Sequence, residues 1–174
     1  MDHYHAGLAL GIPAGILAGL LVVALLFKKK VLDMHFDERQ ERARGKAFQY
    51  GFLTLITAVY AYGVSDIVLG RWCDVLTGVT ICLAVSLCVF AVTCILKDAY
   101  LSLREKPRTV MTMFVLISAV NLGFGVLYAL SGDLVEDGVL TFRAVNPIIG
   151  VVTLVILIVY TVNHLLRDRE EEAE

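Results

Sequence analysis

Residues 75–96 read VLTGVTICLAVSLCVFAVTCIL, twenty-two consecutive positions without a charged side chain. As a helix rising 1.5 Å per residue, such a run is about 33 Å long, close to the thickness of a bilayer's hydrocarbon core. Asp74 and Lys97 bound it, so the uncharged stretch begins and ends abruptly. Working outward, runs of the same kind lie at roughly 47–69, 109–131 and 147–166, with a further one at 6–27. The 174-residue chain is 58% hydrophobic and 18% charged, with a mean hydropathy of +0.76. A typical soluble domain is roughly 45–50% apolar. The loops between runs are too short for a separate soluble domain. The expectation is an all-α, polytopic membrane protein: a single membrane domain over 1–174 with five transmembrane helices at about 6–27, 38–69, 75–96, 108–131 and 147–166.

Lysine and arginine set the expected orientation. Segment 28–46 carries Lys28, Lys29, Lys30, Arg39, Arg42, Arg44 and Lys46; segment 97–108 carries Lys97, Arg104, Lys106 and Arg108; the tail adds Arg167 and Arg169. Only Arg71 and Arg143 fall on the other side. Basic residues concentrate in cytoplasmic loops. Loops 28–46 and 97–108 and the acidic tail 167–174 are therefore expected in the cytoplasm, loop 131–146 outside, and the chain N-out/C-in. The first run has its positive charges after it rather than before it, which favours a retained anchor over a cleaved signal. The location expected is a cell membrane, multi-pass.

The densest polar stretch is Phe36-Asp37-Glu38-Arg39-Gln40-Glu41-Arg42-Ala43-Arg44-Gly45-Lys46. Asp37 followed three residues later by Gln40 has the spacing of a capping box, so a helix should start near residue 38 and run into the membrane. Glu38 and Arg42 are four apart and can pair along it. Arg39, Arg42 and Lys46 share one face and meet the headgroup layer. Three uses compete for Asp37, Glu38, Arg39, Gln40, Arg42, Arg44 and Lys46: a helix start with a positive-inside anchor, attraction to anionic lipid, and docking of a cytoplasmic protein partner.

Gly7, Gly11, Gly15 and Gly19 repeat every four residues, a glycine-zipper ridge for close helix packing, with Pro13 a candidate kink. Packing within one protomer and a homo-oligomer interface both remain open. Thr57, Ala61 and Ser65 form one small-residue row, and Ser118, Asn121 and Gly125 another, with Asn121 as a polar tie near mid-membrane. A cavity lined by Thr57, Asn121 and Tyr160 is the alternative use of that depth. Asn146-Pro147 reads as the start of the last helix. Asp137-Gly138 between Leu134-Val135 and Val139-Leu140 signals a small outer hairpin.

Chemistry-bearing motifs are missing from the sequence. No run holds a mid-membrane Asp, Glu, Lys or Arg, which proton-coupled transporters and voltage sensors usually need. Cys73, Cys82, Cys88 and Cys94 form no C-x-x-C, which argues against thiol exchange and zinc. His3 and His5 make a poor metal pair, and His164 is expected among headgroups. There is no P-loop, H-E-x-x-H or G-x-S-x-G. No enzyme, cofactor, metal site or direct nucleic-acid binding is expected.

Asp37-Glu38-Arg39-Gln40, with Arg44-Gly45-Lys46-Ala47-Phe48 and Gly51-Phe52, resembles the D-E-R-Q juxtamembrane signature of a group of small bacterial integral membrane proteins of unknown function. Some related short proteins are found beside helix-turn-helix regulators. The resemblance implies Asp37, Glu38, Arg39 and Gln40 as the positions to test, and no substrate. The functional expectation is a non-enzymatic regulatory or scaffolding subunit whose 37–46 segment engages a cytoplasmic partner or anionic lipid. A small transporter or substrate-binding subunit, and a structural oligomer-forming subunit, are the alternatives.

Overall fold

A computed structural model describes residues 36–102 and 106–171, together with Ala14, Leu17, Leu20, Leu21, Ala24, Leu25 and Lys28. The chain divides into two compact units, 1–35 with 102–105, and 36–101 with 106–174. In the first unit the seven described positions between 14 and 28 are helical and exposed. The ridge Gly7, Gly11, Gly15 and Gly19, with Pro13, lies outside the described residues.

The second unit holds four long helices: α1 (Glu38–Leu69), α2 (Val75–Leu96), α3 (Pro107–Ser131) and α4 (Val145–Glu171). A two-stranded hairpin, β1 (Val135–Glu136) and β2 (Val139–Leu140), and a 3-10 turn over Phe142–Ala144 connect α3 to α4. The expectation of five membrane helices is corrected here. Among the described residues four helices are long and apolar enough to cross a membrane: Glu38–Leu69, Val75–Leu96, Pro107–Ser131 and Phe142–Arg167. Four crossings bring the start of α1 and the end of α4 to one side of the membrane, and the N-out/C-in arrangement counted from five no longer follows. Consistent with four, the start of α1, the loop after α2 and the end of α4 meet at one end of the bundle, through Gln40, Asp98 and Arg167.

Local chemistry sets the helix limits. Asp37 Oδ1 accepts from Gln40 N at 2.6 Å and Gln40 Oε1 accepts from Asp37 N at 3.3 Å. This is the capping box that the sequence spacing predicts. Gly70, at φ +78°, ends α1. α3 and α2 both finish in a turn of Schellman type. After α3, Asp133 N donates to Tyr128 O and Gly132 N to Ala129 O, with Gly132 at φ +77°. After α2, Ala99 N donates to Cys94 O and Asp98 N to Ile95 O, and the left-handed position is Asp98, at φ +52°. The last helix differs from its expected start at Asn146-Pro147. Thr141 precedes a 3-10 turn that feeds directly into Val145, so Asn146 lies inside the helix. Pro147 still falls in the first turn, where its missing donor costs no hydrogen bond. α4 continues through 167–171, into the segment that begins the acidic tail.

Helix packing runs α1 on α2, α2 on α4, and α4 on α3. Small residues make the crossings close, as expected where lipid offers no hydrophobic drive for helix association. A Cβ added at Gly51 would lie 3.3 Å from Phe90 Cβ; at Gly125 it would lie 2.7 Å from Pro147 Cβ, and at Gly150 2.8 Å from Leu122 Cγ. Two serines tie these seams by donating to a glycine carbonyl across them: Ser86 Oγ to Gly51 O at 2.8 Å and Ser118 Oγ to Gly150 O at 3.0 Å. Ala91, Ile95 and Ile156 form a buried cluster between α2 and α4. The outward faces of the helices carry large apolar side chains, such as Phe48, Tyr60, Ile67, Leu127 and Leu130, all more than half exposed. That surface suits lipid.

The Asp137-Gly138 hairpin forms as the sequence predicts. Val135 pairs with Leu140 and Glu136 with Val139, and both turn residues take positive φ, 51° and 79°. Two consecutive left-handed residues are what a two-residue hairpin turn requires. Cys73 is fully buried and bridges Leu140, tying the α1–α2 loop to the hairpin.

Candidate functional site

The polar residues of the second unit gather at its two ends. At the hairpin end they serve the fold. Asp74 takes Arg71 at 2.7 Å and Phe142 N at 3.2 Å, and Thr77 Oγ1 donates to Thr141 O at 2.8 Å. Trp72 Nε1 donates to Ser65 Oγ at 2.9 Å, and its ring stands edge-on to Tyr62. Asp133 accepts from Ser131 at 2.7 Å and pairs with Arg143 at 2.6 Å. The Ser131 hydroxyl, then the Arg143 charge, hold its carboxyl below the usual range.

At the other end, the 37–46 segment separates into inward and outward residues. Gln40 is buried, 7% exposed. Beyond closing the cap, its Nε2 donates to Asp98 O at 2.8 Å and to Leu101 O at 3.4 Å. Arg44 Nη1 donates to Ala99 O at 3.0 Å, and its guanidinium lies 4.0 Å from the centroid of the Phe36 ring. These two side chains satisfy carbonyls of Asp98, Ala99 and Leu101 in the loop that follows α2. They hold the base of α1 against that loop.

Arg39, Arg42 and Lys46 face outward and, with Ala43 and Lys97, line an open cleft of about 320 Å³. Glu38 lies 3.7 Å from Arg42, and both are more than four-fifths exposed, so the pair is weak. Asp37 is exposed at the helix start. The expected face of Arg39, Arg42 and Lys46 is thus present, and Lys97, the residue that caps α2, joins it.

Asp98 joins the parts. Its carboxylate pairs with Arg167 of α4 and lies 3.9 Å from Arg39 of α1. Sequence reading passed over Asp98, which stands among cations directly after an uncharged helix. The signal was there in principle: an acid at the left-handed position after a helix, where glycine is usual, suggests a side chain kept for its contacts. Asp98 also lines a pocket of about 400 Å³, whose walls include Ile95, Pro107, Tyr160, His164 and Arg167.

The remaining sequence candidates are not brought together. Thr57 is exposed on α1 and donates to Leu53 O in its own helix, at 2.9 Å. Asn121 Nδ2 donates to Ile117 O, also within its helix, at 2.8 Å. α1 and α3 stand at opposite ends of the packing order, with α2 and α4 between them. Thr57, Asn121 and Tyr160 therefore share no cavity. Gly125 lies at the α3–α4 crossing, against Pro147. Among the described residues no group of three or more His, Cys, Asp or Glu side chains is placed to hold a metal ion.

Four long apolar helices with lipid-suited outer faces define a helical, multi-pass membrane protein. Compared with protein-family models, with curated proteins and with solved structures, the chain shows no match.

Proposed function

We propose that this chain is a non-enzymatic membrane protein that holds anionic phospholipid headgroups in the cleft lined by Arg39, Arg42, Lys46 and Lys97, with that end of the bundle at the cytoplasmic leaflet. The observation that carries the reading is the convergence of these four cations, three from α1 and one from the cap of α2, on one open cleft where α1 leaves its apolar span. A basic residue near an anionic surface contributes about 1 kcal/mol. Four together, less the local effects of Glu38 on Arg42 and of Asp98 on Arg39, are enough to select anionic over zwitterionic lipid. The resemblance of segment 37–52 to small bacterial membrane proteins goes with this reading and suggests a bacterial inner membrane. Gln40 and Arg44 then act as positioning residues that fix the base of α1, rather than as contacts to lipid. The small-transporter alternative draws no support, because Thr57 and Asn121 lie on helices that α2 and α4 separate.

The test is lipid retention by native mass spectrometry after extraction from bilayers of mixed phosphatidylglycerol and phosphatidylcholine. The wild-type chain should retain phosphatidylglycerol preferentially. The variant Arg39→Gln/Arg42→Gln/Lys46→Gln/Lys97→Gln should retain the two lipids in the bilayer ratio. Equal selectivity in both proteins overturns the reading.

A further inference from the structure

The pocket beside Asp98 shares no lining residue with the basic cleft. We infer that it is a second binding site, for an amphiphile with a singly charged anionic head and an apolar body, the head on Arg167 and the body along Tyr160, Pro107 and Ile95.

Charge comes first. One carboxylate, Asp98, faces two guanidiniums, Arg39 and Arg167. Asp98 and Arg167 pair with each other in the pocket wall, and Arg39 draws on the same carboxylate from the cleft, so Asp98 neutralises Arg167 only in part and leaves it able to take a monoanion. A guanidinium has five N–H donors in a planar fork, and Asp98 engages Arg167 through Nη1. Donors remain for a second oxyanion on the pocket side, where Arg167 is part of the wall. Arg–carboxylate and Arg–phosphate contacts are among the strong charge-assisted hydrogen bonds.

The gradient of polarity is the second argument. Arg167 is the last residue of the apolar span Phe142–Arg167. Tyr160 lies two turns deeper on the same helix, and Ile95 belongs to the buried cluster between α2 and α4. Pro107 opens α3 on the opposite wall. The pocket is therefore charged at its rim and apolar toward the middle of the bundle, which is the order of a lipid-like molecule standing in a leaflet. Its volume, about 400 Å³, falls within the usual range for small-ligand sites, roughly 300–1,000 Å³.

The head chemistry is common to a free fatty acid and to a bilayer phospholipid such as phosphatidylglycerol, and one experiment separates them. Full-length protein in phosphatidylcholine nanodiscs is equilibrated with radiolabelled octanoate, and uptake into empty nanodiscs is subtracted. The inference expects saturable binding, at least tenfold weaker for octanol, which has a similar body and no charge. Arg167→Gln should weaken octanoate binding at least tenfold. Tyr160→Trp, which fills the cavity, should abolish it. The octanol comparison needs no variant, so it stands even if a substituted protein fails to fold. Arg42→Gln/Lys46→Gln should leave octanoate binding unchanged, which separates this site from the cleft. Displacement of octanoate by added phosphatidylglycerol identifies a bilayer lipid as the occupant, and no displacement identifies a free acid. Uptake equal to that of empty nanodiscs, or equal for octanol and octanoate, overturns the inference.

Discussion

Asp98 occupies a backbone position that glycine fills at the end of α3. Left-handed φ is tolerated by aspartate and asparagine better than by other side chains, because a short polar group can hydrogen-bond locally. Its retention after α2 is explained by its carboxylate, which pairs with Arg167 and lies near Arg39. Two effects then oppose each other on substitution. Asp98→Gly relaxes the backbone and loses the ion pairs; Asp98→Ala loses the pairs and keeps the strained φ. Thermal unfolding in detergent should rank Asp98→Gly and Asp98→Asn above Asp98→Ala, by about 1 kcal/mol. An alanine variant as stable as the glycine variant would remove the backbone from the explanation. Gln40 gives a second prediction at this scale. It closes the cap and donates to two loop carbonyls, so Gln40→Ala should lower stability by about 2 kcal/mol. Arg42→Ala, which loses one exposed pair with Glu38, should stay within about 0.5 kcal/mol. The same thermal unfolding series measures both.

Helices and hairpin were legible to different degrees, for physical reasons. Capping box and hairpin turn are local: Asp37 and Gln40 meet through one turn of backbone, and Asp137-Gly138 supplies two left-handed residues in a row. Such features are written in adjacent residues. The start of α4 was misplaced because the 3-10 turn depends on Asp74, 68 residues away, accepting from Phe142 N. The α3–α4 seam explains a difference between two glycines of one helix. A Cβ at Gly125 would press on Pro147, whereas at Gly123 it would meet nothing within 4 Å. Gly125→Val should therefore destabilise the bundle by about 1–3 kcal/mol, and Gly123→Val should be near neutral in the same assay. The hairpin's acid dependence follows from Asp133, whose carboxyl is held below its usual range by Ser131 and then Arg143. A depressed native pKa stabilises the folded form above the unfolded value, about 4. That contribution is lost as pH falls through the lower native value. Amide protection over 134–141, corrected for the intrinsic exchange rate at each pH, should fall on acidification below about pH 4, and Asp133→Asn should remove most of that dependence.

For the whole molecule, composition was enough to give membrane helices and too little to order them. Every span has a window apolar enough to cross a membrane, and no short motif marks α2 and α4 as the inner pair. The packing order emerges from where glycine and serine allow close approach, and it separates Thr57 from Asn121. Orientation is a different matter. The basic residues of the described unit collect at the end where α1 begins and α4 finishes, and the hairpin end holds Arg71 and Arg143, each paired with a local acid. The lipid cleft has its proposed role only if the basic end faces the cytoplasm. Labelling with a membrane-impermeant maleimide tests this most directly, since Cys73, Cys82 and Cys94 are buried in the fold. Glu136→Cys, on the hairpin, should react in intact cells above the wild-type background, and Lys106→Cys, between α2 and α3, only after the cells are opened. Reaction of Lys106→Cys in intact cells, with Glu136→Cys protected, would contradict the account.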